Sequence, residues 1–380
     1  LAEKALTLLI NNDSLLPLSG LESLQYATLN INAKEETSFT RTADLYKKGD
    51  HYAVDSEKDT FRVTYWEETL SSYDVVIVNV HGTSFYKDHY GIDREMMKDL
   101  MEMELEGRLI VNIFGNPYTL DELYGLERAD GLIISYNEEE ITQERVAQAI
   151  FGGISFSGKL PVSAGGMFKA GAGKRTPGQV RLSYGPPELV GLHPDTLVLI
   201  DSLVEDAIQQ KATPGCQVLV ARNSRVVWHK AYGYHTYQNR TPVSTEDLYD
   251  LASVTKITST VPALMKLQDQ GRFHVGDSLG RYFPELDTTD KRGLIIRDIL
   301  AHQAGLAAWI PFYKSTLEPL DTAESLFSAR FSYTYPYRLG NHSYANRNIV
   351  FKDSLYDIAY SKNKTIQVAR DLYLRKEYRD

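Results

Sequence analysis

One cysteine, Cys216, stands among 380 residues, which excludes an internal disulfide and any zinc site built on paired thiolates. It reads as a small core residue. No apolar run approaches the length needed to span a bilayer. No Lys/Arg-rich run or basic helix interrupts a balance of 41 basic against 50 acidic residues, net −9, so nucleic acid is not expected as a main partner. The nine histidines include no His-Glu-x-x-His, and neither a metal nor any other cofactor is expected. No internal repeat is found. Low complexity is confined to residues 164–185, rich in Gly, Lys, Arg and Pro, which reads as an interdomain linker.

What is present is ordinary for a globular chain, 43% hydrophobic and 24% charged, and its length suits two domains. Residues 74–80, 108–115 and 131–136 are continuous apolar runs of strand length. Runs without polar alternation predict strands covered on both faces, as in a parallel sheet with helices between them. Residues 94–106 and 142–151 have helical spacing with acidic faces, and the economical reading is a three-layer α/β/α sandwich. Residues 5–18 read as an apolar helix, then a polar turn, then Leu15-Leu16-Pro17-Leu18 leading into a strand. The loop from His81 to Asp93 follows a predicted strand at the carboxyl edge of the sheet, where open α/β sheets bind ligands, and makes Asp93 a candidate for binding a sugar. The acidic residues Glu102, Glu104, Glu106 and 138–140 read as solvated helix surface.

The second half opens with a hairpin. Residues 217–222 and 225–232 are strand-like and meet at Asn223-Ser224. Farther on comes Leu251-Ala252-Ser253-Val254-Thr255-Lys256, placed at the start of a predicted helix. Residues three apart share a helix face, so the Lys256 amine reaches the Ser253 hydroxyl and can help remove its proton. A free serine hydroxyl is a poor nucleophile without such a partner. The helix that follows closes at Gly271. His302, after a later helix, reads as a structural hydrogen-bonding residue.

Ser253-x-x-Lys256 is the nucleophile spacing of serine β-lactamases and penicillin-binding proteins. From Leu192 to Leu306 the chain resembles the serine β-lactamase-like family, which also includes DD-peptidases and related esterases. The resembling pieces are PGCQVLVARNSRVVWHKAYGY, LYDLASVTKITST, LMKLQDQGRFHVGDSLGRYFPEL and ILAHQAGL. At the other end, ALTLLINNDSLLPL and VAQAIFGG with SGKLPV resemble the start and end of the second domain of family 3 glycoside hydrolases. These resemblances imply a glycosidase-type sandwich over 1–165, a linker over 166–190, and the N-terminal portion of a β-lactamase-like α+β domain over 191–380.

The first resemblance also implies a second motif, for which Tyr344-Ala345-Asn346 is the candidate, with Tyr344 as general base. Its flank departs from the family pattern, since residues 347–352 lead into a charged segment rather than an apolar helix. The family's third motif is expected to be missing, with neither Lys-Thr-Gly nor His-x-Gly read after Ser253. The second resemblance implies a barrel preceding Leu1 in the same parent, carrying the nucleophilic aspartate. The chain is therefore expected to be a piece of a longer protein, a bifunctional cell-wall or glycan-directed hydrolase. Its expected substrate is a small molecule or peptidoglycan-type acyl donor, and its expected location is the bacterial periplasm or outside the cell. The competing expectation is a non-catalytic accessory module that braces the glycosidase barrel.

Overall fold

The three apolar runs become adjacent strands of one six-stranded sheet. A computed structural model describes residues 2–238, 240–307, 325–335, 337–340 and 343–347. It divides into two units, Leu1–Leu248 and Tyr249–Asp380. In the first, α1 (Ala2–Ala5) leads into β1 (Thr7–Asn11), and then β2 (Tyr26–Ile31), α2 (Ser38–Ala43), β3 (Asp50–Val54), α3 (Val63–Leu70), β4 (Val75–Val80), α4 (Arg94–Glu102), β5 (Arg108–Ile113), β6 (Gly131–Ile134) and α5 (Glu140–Ile150). The sheet order is β1-β6-β5-β4-β2-β3.

Five strands run parallel, and β1 joins β6 antiparallel. The expectation of a purely parallel sheet is thereby corrected to a mixed one. No helical crossover links β1 to its neighbour in sequence, so nothing forces it to run with the others, and an antiparallel edge strand is common on such sheets. The expected helix over residues 5–10 is also corrected. Its short apolar run suits a strand or a helix equally well, and here the helix ends at Ala5.

Alternate side chains divide between two apolar clusters. Val76, Val78, Val111 and Ile113 pack with Trp66 and Leu70 of α3 and with Met97 and Leu100 of α4. Ile77, Ile110 and Ile133 pack with Phe39 of α2 and with Val146 and Ile150 of α5. Burial on both faces is why β4 and β5 lack the polar alternation of a half-exposed strand.

One row on the second face is polar. Asn30, Asn79 and Asn112 are register partners on β2, β4 and β5. Asn79 Nδ2 donates to Asn30 Oδ1 at 3.1 Å, Asn112 Nδ2 to Asn79 Oδ1 at 3.0 Å, and Ser135 Oγ to Asn112 Oδ1 at 2.5 Å. The chain ends where Asn30 Nδ2 donates to the carbonyls of Lys34 and Glu35. All four side chains are buried and each is hydrogen-bonded, which is what makes polar groups tolerable there.

Residues 166–190 lie against this unit. Phe156 N donates to Thr176 Oγ1, Arg181 Nη1 to the carbonyls of Leu18 and Phe151, and Tyr184 N to Gln148 Oε1. The segment contains β7 (Ser183–Tyr184), and beyond it come α6 (Pro194–Leu197) and α7 (Leu199–Gln209). The hairpin of β8 (Gly215–Arg222) and β9 (Arg225–Gly233) follows, with Asn223 and Ser224 both at positive φ in its turn. Strand β7 pairs parallel with β9. Cys216 on β8 is half-buried, and burial pushes its thiol up, away from the reactive thiolate.

The second unit contains α8 (Val261–Asp269), α9 (Leu279–Tyr282) and α10 (Ile296–Leu300), and a small antiparallel sheet of β10 (Phe327–Ser328), β11 (Tyr337–Gly340) and β12 (Ser343–Ala345). Among its described residues, the buried apolar side chains are Leu286 and Ile296. No helix of the described residues is long and apolar enough to cross a membrane.

Candidate active site

Ser253 sits in a tight 3₁₀ turn, Ala252–Val254, followed by a π-helical turn, Lys256–Thr260, and then α8. The expected helix start is therefore a graded one, and the wide π turn is a departure often found at functional positions. Asp250 Oδ1 accepts from Ala252 N at 2.8 Å, and Val254 N donates to Leu251 O at 2.8 Å. Ala252 lies at φ 43°, a strained value for a residue with a Cβ. The turn is thus held on both sides of the serine.

Within it, Lys256 Nζ donates to Ser253 Oγ at 2.9 Å, and both residues are exposed. This is the contact that the three-residue spacing predicts. An ammonium so placed stabilises a developing alkoxide, and the neutral amine accepts the hydroxyl proton.

Tyr344 lies on β12, opposite Arg338 of β11 and Ser328 of β10. Its ring packs edge-on against Phe331, centroids 5.9 Å apart. Among the described residues its hydroxyl makes no hydrogen bond to Ser253 or Lys256. Asn346 of the same tripeptide is buried, with Nδ2 donating to Ser325 O at 3.3 Å. Of the charged flank, residues 348–352 fall outside the described residues. A His-x-Gly tripeptide does occur after Ser253, at His274-Val275-Gly276. It forms a turn in which Gly276 N donates to His274 Nδ1 at 3.1 Å, not a strand beside the serine. His302 lies exposed in the turn after α10.

In the first unit, Asp93 caps α4, its Oδ1 accepting from Met96 N at 3.0 Å. The loop it closes begins at the carboxyl end of β4. There the chain's crossovers diverge, β2 leading to β3 on one side and β4 to β5 on the other. His81 opens the loop, buried against Phe114 with ring centroids 4.6 Å apart. Its Nδ1 is 3.9 Å from Glu138 Oε2, too far for a hydrogen bond, and that oxygen accepts from Gly82 N at 2.8 Å instead.

Burial pushes the His81 imidazole down to about 4. An unfolded histidine titrates near 6.5, so between these values the unfolded chain binds more protons. Stability from this residue is complete above about 6.5 and is lost as the pH falls towards about 4, by roughly 3 kcal/mol. Urea unfolding near pH 7 and near pH 4.5 is expected to show this loss, and His81→Gln to shrink it. An unchanged pH dependence in the variant would contradict the assignment.

Residues 200–350 match the Beta-lactamase family model. A Beta-lactamase of Providencia stuartii is 27% identical over 113 residues, which cover 30% of this chain and 29% of that protein. Protein flp of Staphylococcus aureus (strain NCTC 8325 / PS 47) is 27% identical over 115 residues, 30% of this chain and 23% of that protein. The chain thus spans under a third of the curated relatives it matches. Among solved structures, a glycoside hydrolase family 3 β-N-acetylglucosaminidase from Paenibacillus sp. str. FPU-7 is 16% identical with a TM-score of 0.34, covering 43% of this chain and 31% of that one. A β-glucoside phosphorylase, BglX, is 21% identical with a TM-score of 0.29, covering 43% of this chain and 30% of that one. Ser253, Lys256 and Tyr344 all lie within residues 200–350, and over that stretch the chain is similar to the Beta-lactamase family.

Proposed function

We propose that Ser253 is the nucleophile of an acyl-enzyme hydrolase of the β-lactamase, DD-peptidase or esterase type, with Lys256 as its proton partner. The observation that carries this reading is the 2.9 Å contact from Lys256 Nζ to Ser253 Oγ. The hydroxyl oxygen attacks the carbonyl carbon of an amide, ester or β-lactam while its proton passes to the neutral lysine amine. Collapse of the tetrahedral adduct breaks the bond to the amine or alkoxide leaving group, which takes that proton. Water then hydrolyses the acyl-serine and restores the hydroxyl. The backbone N–H of Ser253 supplies one oxyanion donor.

The parent is a bifunctional cell-wall or glycan-directed protein, periplasmic or secreted in a bacterium. A three-layer α/β/α accessory domain over 1–165 and a linker over 166–190 precede the hydrolase portion over 191–380. The sandwich braces a glycosidase barrel of the same parent, with Asp93 on the sugar side.

A non-catalytic accessory module is the second reading, favoured by the packing of the Tyr344 ring edge-on against Phe331. Incubating the full-length parent with a fluorescent penicillin and mapping the adduct by mass spectrometry separates the two. Label on the Ser253 peptide is expected. A folded parent that takes no label from penicillin or an activated ester leaves the accessory reading standing.

A further inference from the structure

Two guanidinium groups in the first unit carry donors with nothing to bind. Arg145 on α5 is 3% exposed. Its Nη1 donates to Tyr184 O at 2.6 Å, and its Nη2 is buried without a hydrogen-bond partner. Arg225, the first residue of β9, has the same defect at Nη1, while its Nη2 lies 3.5 Å from Glu3 Oε2. Both unpaired nitrogens converge on Gly185. A Cβ built there would stand 3.0 Å from Arg225 Nη1 and 3.2 Å from Arg145 Nη2.

Folded proteins leave few buried donors unpaired, and a buried charge without a counter-charge is costlier still. Among the described residues, Glu3 is the one carboxylate ion-paired to either cation, and its side chain is 42% exposed. Burial first, and then the charge of Arg225, disfavour the Arg145 cation, while Glu144 and Glu3 support it. Beside Arg225 opens a groove of about 260 Å³, lined by Glu3, Gly153, Ser155, Gly178 and Ser183. Gly153 and Gly178 present no side chain to it, and Ile154 and Gln179 complete its lining beside the serine hydroxyls. The two unpaired nitrogens are closed to water.

We infer that Arg145 and Arg225 form a binding site for a small oxyanion, reached through this groove when the half-exposed Glu3 side chain swings aside. The oxyanion takes over the Glu3 pairing to Arg225 and offers acceptors to the two free N–H groups. Guanidinium forks suit phosphate and carboxylate alike. Bound there, the ion ties α5 to the hairpin through a shared counter-charge.

The test is calorimetry and thermal melting of the purified chain in sodium phosphate and, separately, sodium acetate, with ionic strength held constant by sodium chloride. Saturable binding with a raised melting midpoint is expected for one of them, and the one that binds assigns the phosphate or the carboxylate class. Glu3→Gln removes the competing carboxylate and is expected to tighten binding. Arg225→Gln removes a donor, and Gly185→Ala places a methyl in the gap. Each is expected to weaken binding about tenfold or more with the circular dichroism spectrum retained. Heats no larger than those of chloride, or affinity unchanged in both weakening variants, would overturn the inference.

Discussion

Alanine at position 253 is expected to abolish nitrocefin and p-nitrophenyl ester turnover by the full-length parent, a fall of about 10⁴-fold or more. The hydroxyl is the atom that forms the acyl bond, and no neighbour can substitute for it. Lys256→Met keeps the stem and removes the amine that lies 2.9 Å from Ser253 Oγ. Nucleophile and proton partner act as a unit, so its effect is expected to approach that of the serine variant rather than add to it. Turnover by Lys256→Met close to the parental rate would show that another group takes the proton, and would turn attention to Tyr344. Turnover by the 380-residue chain on its own is expected to fall well below that of the parent wherever the oxyanion hole takes a donor from elsewhere in the parent, since one such donor is worth roughly 10²–10³ in rate. Serine-dependent turnover by this chain equal to that of the parent would show that the catalytic set is complete within it.

The second large effect is expected in the sheet. Asn79→Ala leaves Asn30 Oδ1 without its donor and Asn112 Nδ2 without its acceptor, both fully buried. Each stranded group costs about 1–3 kcal/mol, and the vacated volume adds to that, so a loss of about 3 kcal/mol or more is expected. Urea unfolding followed through the buried Trp66 measures it. A shift below about 1 kcal/mol would mean that the amide row contributes little to stability.

The strands that could be read from the sequence are those whose burial left a mark on composition. β4, β5 and β6 are almost wholly apolar because helices cover both their faces, and their limits fall within a few residues of the expected runs. β2 went unread because Thr28 and Asn30 interrupt its apolar run, and their partners, His51 and Asn79, lie 23 and 49 residues away. β1 reads as a helix in the sequence because five or six apolar residues carry no decisive period. α2 is short, and its signal is local: a capping box in which Thr37 and Thr40 serve one another's backbone. At the candidate active site, the serine–lysine contact follows from spacing alone, because three residues of helical turn bring the two side chains together. Arg145 and Arg225 are eighty positions apart, and no pattern along the chain announces that they meet.

The row of amides has one more consequence. Side chains on a strand alternate between faces, so sliding β4 by a single residue against β2 or β5 would turn Asn79 away from its partners and into the apolar cluster beneath α3 and α4. Strands built from interchangeable valines and isoleucines have little else to tell one alignment from the next. The row therefore works as a key cut across three strands. It admits a single alignment and makes each slipped one dearer, which matters most while parallel strands from distant parts of the chain are first finding each other.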